Sequence, residues 1–127
     1  MALQIDYTDK TGTQHSQAYA LIEGIRIRAD NPSAEVVVNI YHNSTMRSKG
    51  DNSSKKLPIF NVEYVLTGSL YATYVQDSVI KADDVSLLSS LYTWLKQHND
   101  GTATHNSEGV RQRNHGNGIN WTTATDV

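Results

Sequence analysis

Ala34-Glu35-Val36-Val37-Val38-Asn39-Ile40-Tyr41 is the stretch that decides the fold class. Val36, Val37, Val38 and Ile40 are β-branched and nearly continuous, which suits a pleated backbone. An extended segment built this way is apolar on both faces and belongs in the middle of a sheet, covered on two sides. Just before it, Asp30-Asn31-Pro32-Ser33 has turn chemistry: proline presets φ and the Asx side chains bond nearby amides. Further out, residues 17–28 alternate with period two. Tyr19, Leu21, Ile25 and Ile27 are placed on one face, with Arg26 and Arg28 on the other beside Gly24, a glycine suited to a bulge.

The same alternation recurs at both ends of this region. Leu3, Ile5 and Tyr7 alternate with Gln4, Asp6 and Thr8 ahead of the turn Asp9-Lys10-Thr11-Gly12. Phe60, Val62, Tyr64 and Leu66 alternate with Asn61, Glu63, Val65 and Thr67. Antiparallel strands are therefore expected near 3–8, 17–28, 34–42 and 58–67. After Gly68 the spacing changes to three and four through Tyr71, Tyr74, Val75, Ser78 and Val79, favouring a short helix over a strand. A second helix, near 85–98, would start from Asp83 or Asp84 as cap. It carries Leu87, Leu88, Leu91, Tyr92 and Leu95 as one apolar stripe, with Lys96 and His98 in its last turn. The expected fold class is mainly β (α+β): an antiparallel β-sheet, sandwich or barrel-like, with one C-terminal helix packed on it and an extended C-terminal arm.

A chain of 127 residues fits one domain. Its hydrophobic fraction of 38% supports a core. From Asn99 the composition shifts to Asn, Gly, Thr, His and Ser, so residues 1–98 are read as the globular domain and 99–127 as a polar flexible arm. Ile119 and Trp121 are that arm's apolar anchors, free either to dock on a neighbouring subunit or to fold back onto the chain's own sheet. With no cysteine there is neither a disulfide framework nor a thiolate site. Met1-Ala2-Leu3-Gln4 lacks the basic start and apolar run of a signal peptide, and no segment is apolar enough to span a membrane, so synthesis in the cytoplasm is expected. A net charge of −2 argues against a general nucleic-acid-binding surface.

Tests for chemistry return little. His15, His42, His98, His105 and His115 lack the spacing of helical metal ligands and read as ordinary surface histidines. Ser53-Ser54-Lys55-Lys56 has the Ser-x-x-Lys spacing of acyl-enzymes but sits in a polar stretch without a helical stripe. Asp6 with Asp9, and Asp83 with Asp84, are the nearest approach to paired carboxylates, and both fall at element boundaries with nothing apolar around them. The expectation is a protein that is not an enzyme, with no catalytic residue, no metal site and no cofactor. Two features point to partners instead. Arg47, Lys49, Lys55 and Lys56 set four cations against Asp51 between two strands, suited to an acidic partner or to plain solubility. Seven tyrosines against one phenylalanine suit core edges, an interface or a sugar platform.

Taken together, Met1-Ala2-Leu3-Gln4-Ile5-Asp6-Tyr7-Thr8-Asp9, Val36-Val37-Val38-Asn39-Ile40-Tyr41 and Leu91-Tyr92-Thr93-Trp94-Leu95-Lys96 resemble, in pattern over residues 1–98, small accessory structural proteins of tailed-bacteriophage virions. That resemblance implies an assembly role in the virion, at the tail or baseplate, as a homo-oligomer among other virion structural proteins. Capsid decoration is the near alternative. A carbohydrate-binding or host-receptor-binding module, recognising a glycan, is the alternative from another class.

Overall fold

The computed structural model describes residues 2–8, 11–42, 58–76, 86–99, 110–112 and 119–127. Arg47, Lys49, Lys55, Lys56, Asp83, Asp84, His105 and His115 lie outside them. The described residues form one open antiparallel sheet with two helices. Its strands are β1 (Leu3–Thr8), β2 (Gln14–Arg28), β3 (Ser33–Tyr41), β4 (Phe60–Thr67), β5 (Val110–Gln112) and the two-residue β6 (Thr125–Asp126). Their order across the sheet is β5-β4-β3-β2-β1-β6, so β3 is central as its two apolar faces require. Among the described residues the sheet does not close, and no second sheet packs on it.

One face makes the core. Leu3, Ile5, Ala18, Ala20, Ile22, Ala34, Val36, Val38, Ile40, Val62, Tyr64 and Leu66 are buried on it, in the register Leu3↔Ala20↔Ile40 and Ile22↔Val38↔Val62. Two irregularities in β2 decide which of its side chains join that face. Between β1 and β2 the pairs run Ile5↔Ala18 and then Tyr7↔His15, so β2 has one residue extra and His15 is carried round to the core side. Between β2 and β3 they run Ile22↔Val38 and then Gly24↔Val37, with Glu23 as the extra residue. A Cβ on Gly24 would lie 3.2 Å from the Val37 Cβ, which explains the glycine at this bulge. The bulge reverses the alternation beyond it. Tyr19 and Leu21 face away from the core, whereas Ile25 and Ile27 lie across from Val36 and Ala34 on the core side. The single face expected for Tyr19, Leu21, Ile25 and Ile27 is therefore split at the glycine.

Gly68, at φ +59°, makes the sharp exit from β4 into helix α1 (Gly68–Tyr74). Helix α2 (Leu87–Leu95) starts at Ser86, whose hydroxyl accepts the Ser89 N–H at 3.0 Å, so this serine fills the capping role expected of Asp83 or Asp84. Leu91, Tyr92, Trp94 and Leu95 are the apolar side chains α2 buries, and Leu88, expected in the stripe, is 39% exposed. The Ser90 hydroxyl donates to the Tyr74 carbonyl and ties α2 to α1.

The end of the chain belongs to the same core. Trp121 is fully buried and Ile119 nearly so. The Trp121 indole N–H donates to the Tyr64 hydroxyl at 2.8 Å, and its backbone N–H donates to the His98 carbonyl at 3.0 Å. Tyr64, Trp94 and His98 close the cluster, with the Trp94 and His98 rings stacked at 5.0 Å and Tyr64 edge-on to both. Beyond this anchor β6 pairs with β1 through Leu3↔Asp126 and Gln4↔Thr125. Of the two destinations open to Ile119 and Trp121 in the sequence, the structure places both in the chain's own core. Residues 119–127 are thus not a free arm. The physical reason is that the sheet and α2 leave an apolar site at Tyr64 and Trp94, with a hydroxyl placed to accept the indole N–H.

Candidate interaction surface

β2 is longer than its neighbour. β1 pairs with it only as far as Ala20, so residues 21–28 have β3 on one side and no described strand on the other. At the first open position the chain supplies its own cover: the Ile22 N–H donates to the Tyr92 hydroxyl of α2 at 2.9 Å. Burial holds the pKa of that hydroxyl above its ordinary value, despite the backbone N–H, which pulls the other way. Past Ile22 no described strand pairs with the edge. Glu23, Ile25, Arg26, Ile27 and Arg28 are all exposed, with Ile25 at 38% and Ile27 at 45%.

This edge has the features of a pairing site. Outward backbone groups along a strand edge accept another strand, and chains usually blunt such edges with charge or cover. Here the two isoleucines lie on one face, while Arg26 and Arg28 lie on the other and have no ion-pair partner among the described residues. Glu23 is fixed at the bulge, where its carboxylate accepts from the Tyr41 hydroxyl and the Asn39 amide. A row of defined chemistry results: a held carboxylate, a gap at Gly24, and alternating isoleucine and arginine.

Of the partner-binding residues expected from sequence, Arg47, Lys49, Lys55 and Lys56 lie outside the described residues, and Ile119 and Trp121 are core. Neither Ile119 nor Trp121 contributes to the β2 edge. Its isoleucines were visible in the sequence as strand residues, and only the missing neighbour on β1's side, a matter of relative strand length, marks them as surface. Among the tyrosines, Tyr7, Tyr41, Tyr64 and Tyr92 are buried.

A second grouping joins residues 27 apart in sequence: the Nδ1 atoms of His15 and His42 are 2.8 Å apart. It arises because the β1–β2 irregularity turns His15 to the core side, where His42 at the end of β3 also points. Among the described residues no three His, Asp or Glu side chains come together as a metal cage. No described helix is long and apolar enough to cross a membrane. No family model, curated protein or solved structure matches this chain.

Proposed function

We propose that this chain is a non-enzymatic assembly subunit of a phage virion, at the tail or baseplate, which joins a second copy of itself through the open edge of β2. The observation that carries the reading is the stretch Gly24–Arg28, an edge with no described strand beside it and with two exposed isoleucines on it. The virion setting rests on the sequence resemblance, and capsid decoration would use the same contact at a different place on the particle. A glycan-binding role has less behind it, because the tyrosines that could form a sugar platform are largely buried.

The edge complements itself. Two copies paired antiparallel about a twofold axis at Arg26 place Ile25 opposite the partner's Ile27, and so bring four isoleucines together. Arg28 then lies opposite the partner's Gly24, where no side chain obstructs it, beside the partner's Glu23. Arg26 meets its own copy on the axis, with Glu35 of β3 opposite each Arg26 in the register.

Magnitudes make this a modest contact. Covering the exposed parts of four isoleucines is worth about 3–5 kcal/mol at ~2–3 kcal/mol per fully buried side chain. Four to six edge hydrogen bonds at ~1 kcal/mol net add about as much again. Association itself costs roughly 4–15 kcal/mol. An isolated pair is therefore weak, and neighbouring contacts in an assembly strengthen it. Sedimentation equilibrium up to the high micromolar range tests this: wild type shows reversible dimerisation, and Ile25→Lys/Ile27→Lys stays monomeric with an unchanged melting temperature. A wild-type chain that is monomeric throughout, or a double variant that dimerises equally well, overturns the reading.

A further inference from the structure

We propose that His15 and His42 form a two-nitrogen binding site for a divalent transition ion of the imidazole-preferring class, with Zn²⁺ as its simplest probe. The site is independent of the β2 edge. The Nδ1 atoms face each other at 2.8 Å, with ring centroids 5.1 Å apart and planes at 83°. At that distance one nitrogen carries the proton and the other accepts it, so the pair holds a single shared proton between two imidazoles. A metal ion takes that proton's place: two Nδ1–metal bonds form, the donor ring's Nδ1–H bond breaks, and its proton passes to the Nε2 of the same ring, so both ligands stay neutral imidazoles.

The geometry needs only a small adjustment. Zinc–imidazole bonds of roughly 2.0–2.1 Å at a tetrahedral angle set the two nitrogens about 3.4 Å apart. The opening of about 0.6 Å falls to His42, which is exposed at the end of β3. His15 is the fixed partner. It is 9% exposed, Tyr7 stacks on it at 6.3 Å, and Phe60 stacks on Tyr7 at 6.0 Å. Beside it lies a groove of about 150 Å³ lined by Asp6, Tyr7, Thr8, Gln14, His15 and Ser16, with room for the waters that complete an open coordination sphere. Since the ligands come from β2 and from the end of β3, a bound ion also staples the two strands at this corner.

Isothermal titration of the full chain with ZnCl₂ near neutral pH tests the proposal. Wild type should bind one equivalent. His42→Gln, an exposed substitution, and His15→Gln should each weaken that binding at least tenfold, whereas His105→Gln/His115→Gln should leave it unchanged. The melting temperature of wild type, and not of His42→Gln, should rise with Zn²⁺. Zinc binding of equal strength in wild type and both single variants, or no binding by wild type at millimolar Zn²⁺, overturns the assignment.

Discussion

Replacing Trp121 with alanine should unfold more of this protein than its place near the chain end suggests. The side chain is fully buried, its N–H donates to the Tyr64 hydroxyl, and its ring sits by the Tyr64–Trp94–His98 cluster. Emptying such a site costs ~3–5 kcal/mol, from lost transfer energy and the cavity left behind. An unfolding entropy of about 2.1 cal/mol/K per residue over 127 residues comes to roughly 0.27 kcal/mol/K. A loss of about 4 kcal/mol then lowers the melting temperature by roughly 15 °C. Trp121→Phe keeps most of the ring and loses the hydrogen bond, and should cost about 1–2 kcal/mol. Urea and thermal unfolding, followed by circular dichroism, measure both. Truncation after Asp100 should be at least as damaging as Trp121→Ala, because β6 is lost as well. Were Trp121→Ala to lie within about 0.5 kcal/mol of wild type, the range of ordinary surface substitutions, the placement of the chain end in the core would be refuted.

Tyr92→Phe should cost about 1–3 kcal/mol, because the Ile22 N–H loses its acceptor beneath α2; denaturant unfolding reads the difference. Tyr92 also sets a direction with pH. Its folded-state pKa is raised above the ordinary 10.0 by burial, so its contribution is fully present below pH 10.0 and is lost as pH rises through the folded value. Stability should therefore fall above about pH 10, and less steeply in Tyr92→Phe. Ser86→Ala should cost about 1 kcal/mol through loss of the α2 cap, seen as a lower urea midpoint at unchanged slope.

Alternation made the sheet legible. Leu3-Gln4-Ile5-Asp6-Tyr7-Thr8 shows its buried positions at every second residue, and the nearly continuous Val36, Val37, Val38 and Ile40 of β3 announce a central strand. Gly24 was readable as a bulge, but a bulge in sequence does not say which face follows it. That depends on the β3 register, and for this reason plain alternation puts Ile25 and Ile27 with Tyr19 and Leu21. Trp121 was harder, because its local composition is polar and its decisive bond reaches Tyr64, 57 residues away. A two-residue strand such as β6 carries no periodicity at all. The His15–His42 pair was hidden for a related reason: it needs both the irregularity between Ile5 and Tyr7 and the end point of β3.

The proposed contact has a register, and a single thiol can read it. The chain has no cysteine, so Arg26→Cys introduces one thiol, on the proposed twofold axis. Residues directly opposite in an antiparallel pair have Cα atoms about 4.5–5.5 Å apart, within the ~4.4–6.8 Å span of a disulfide. Under mild oxidant at high micromolar concentration, Arg26→Cys should form a covalent dimer on non-reducing electrophoresis. Thr11→Cys, on an exposed turn away from the edge, should remain monomeric. An Arg26→Cys chain that stays monomeric, or that crosslinks no faster than Thr11→Cys, would contradict edge-to-edge assembly through β2.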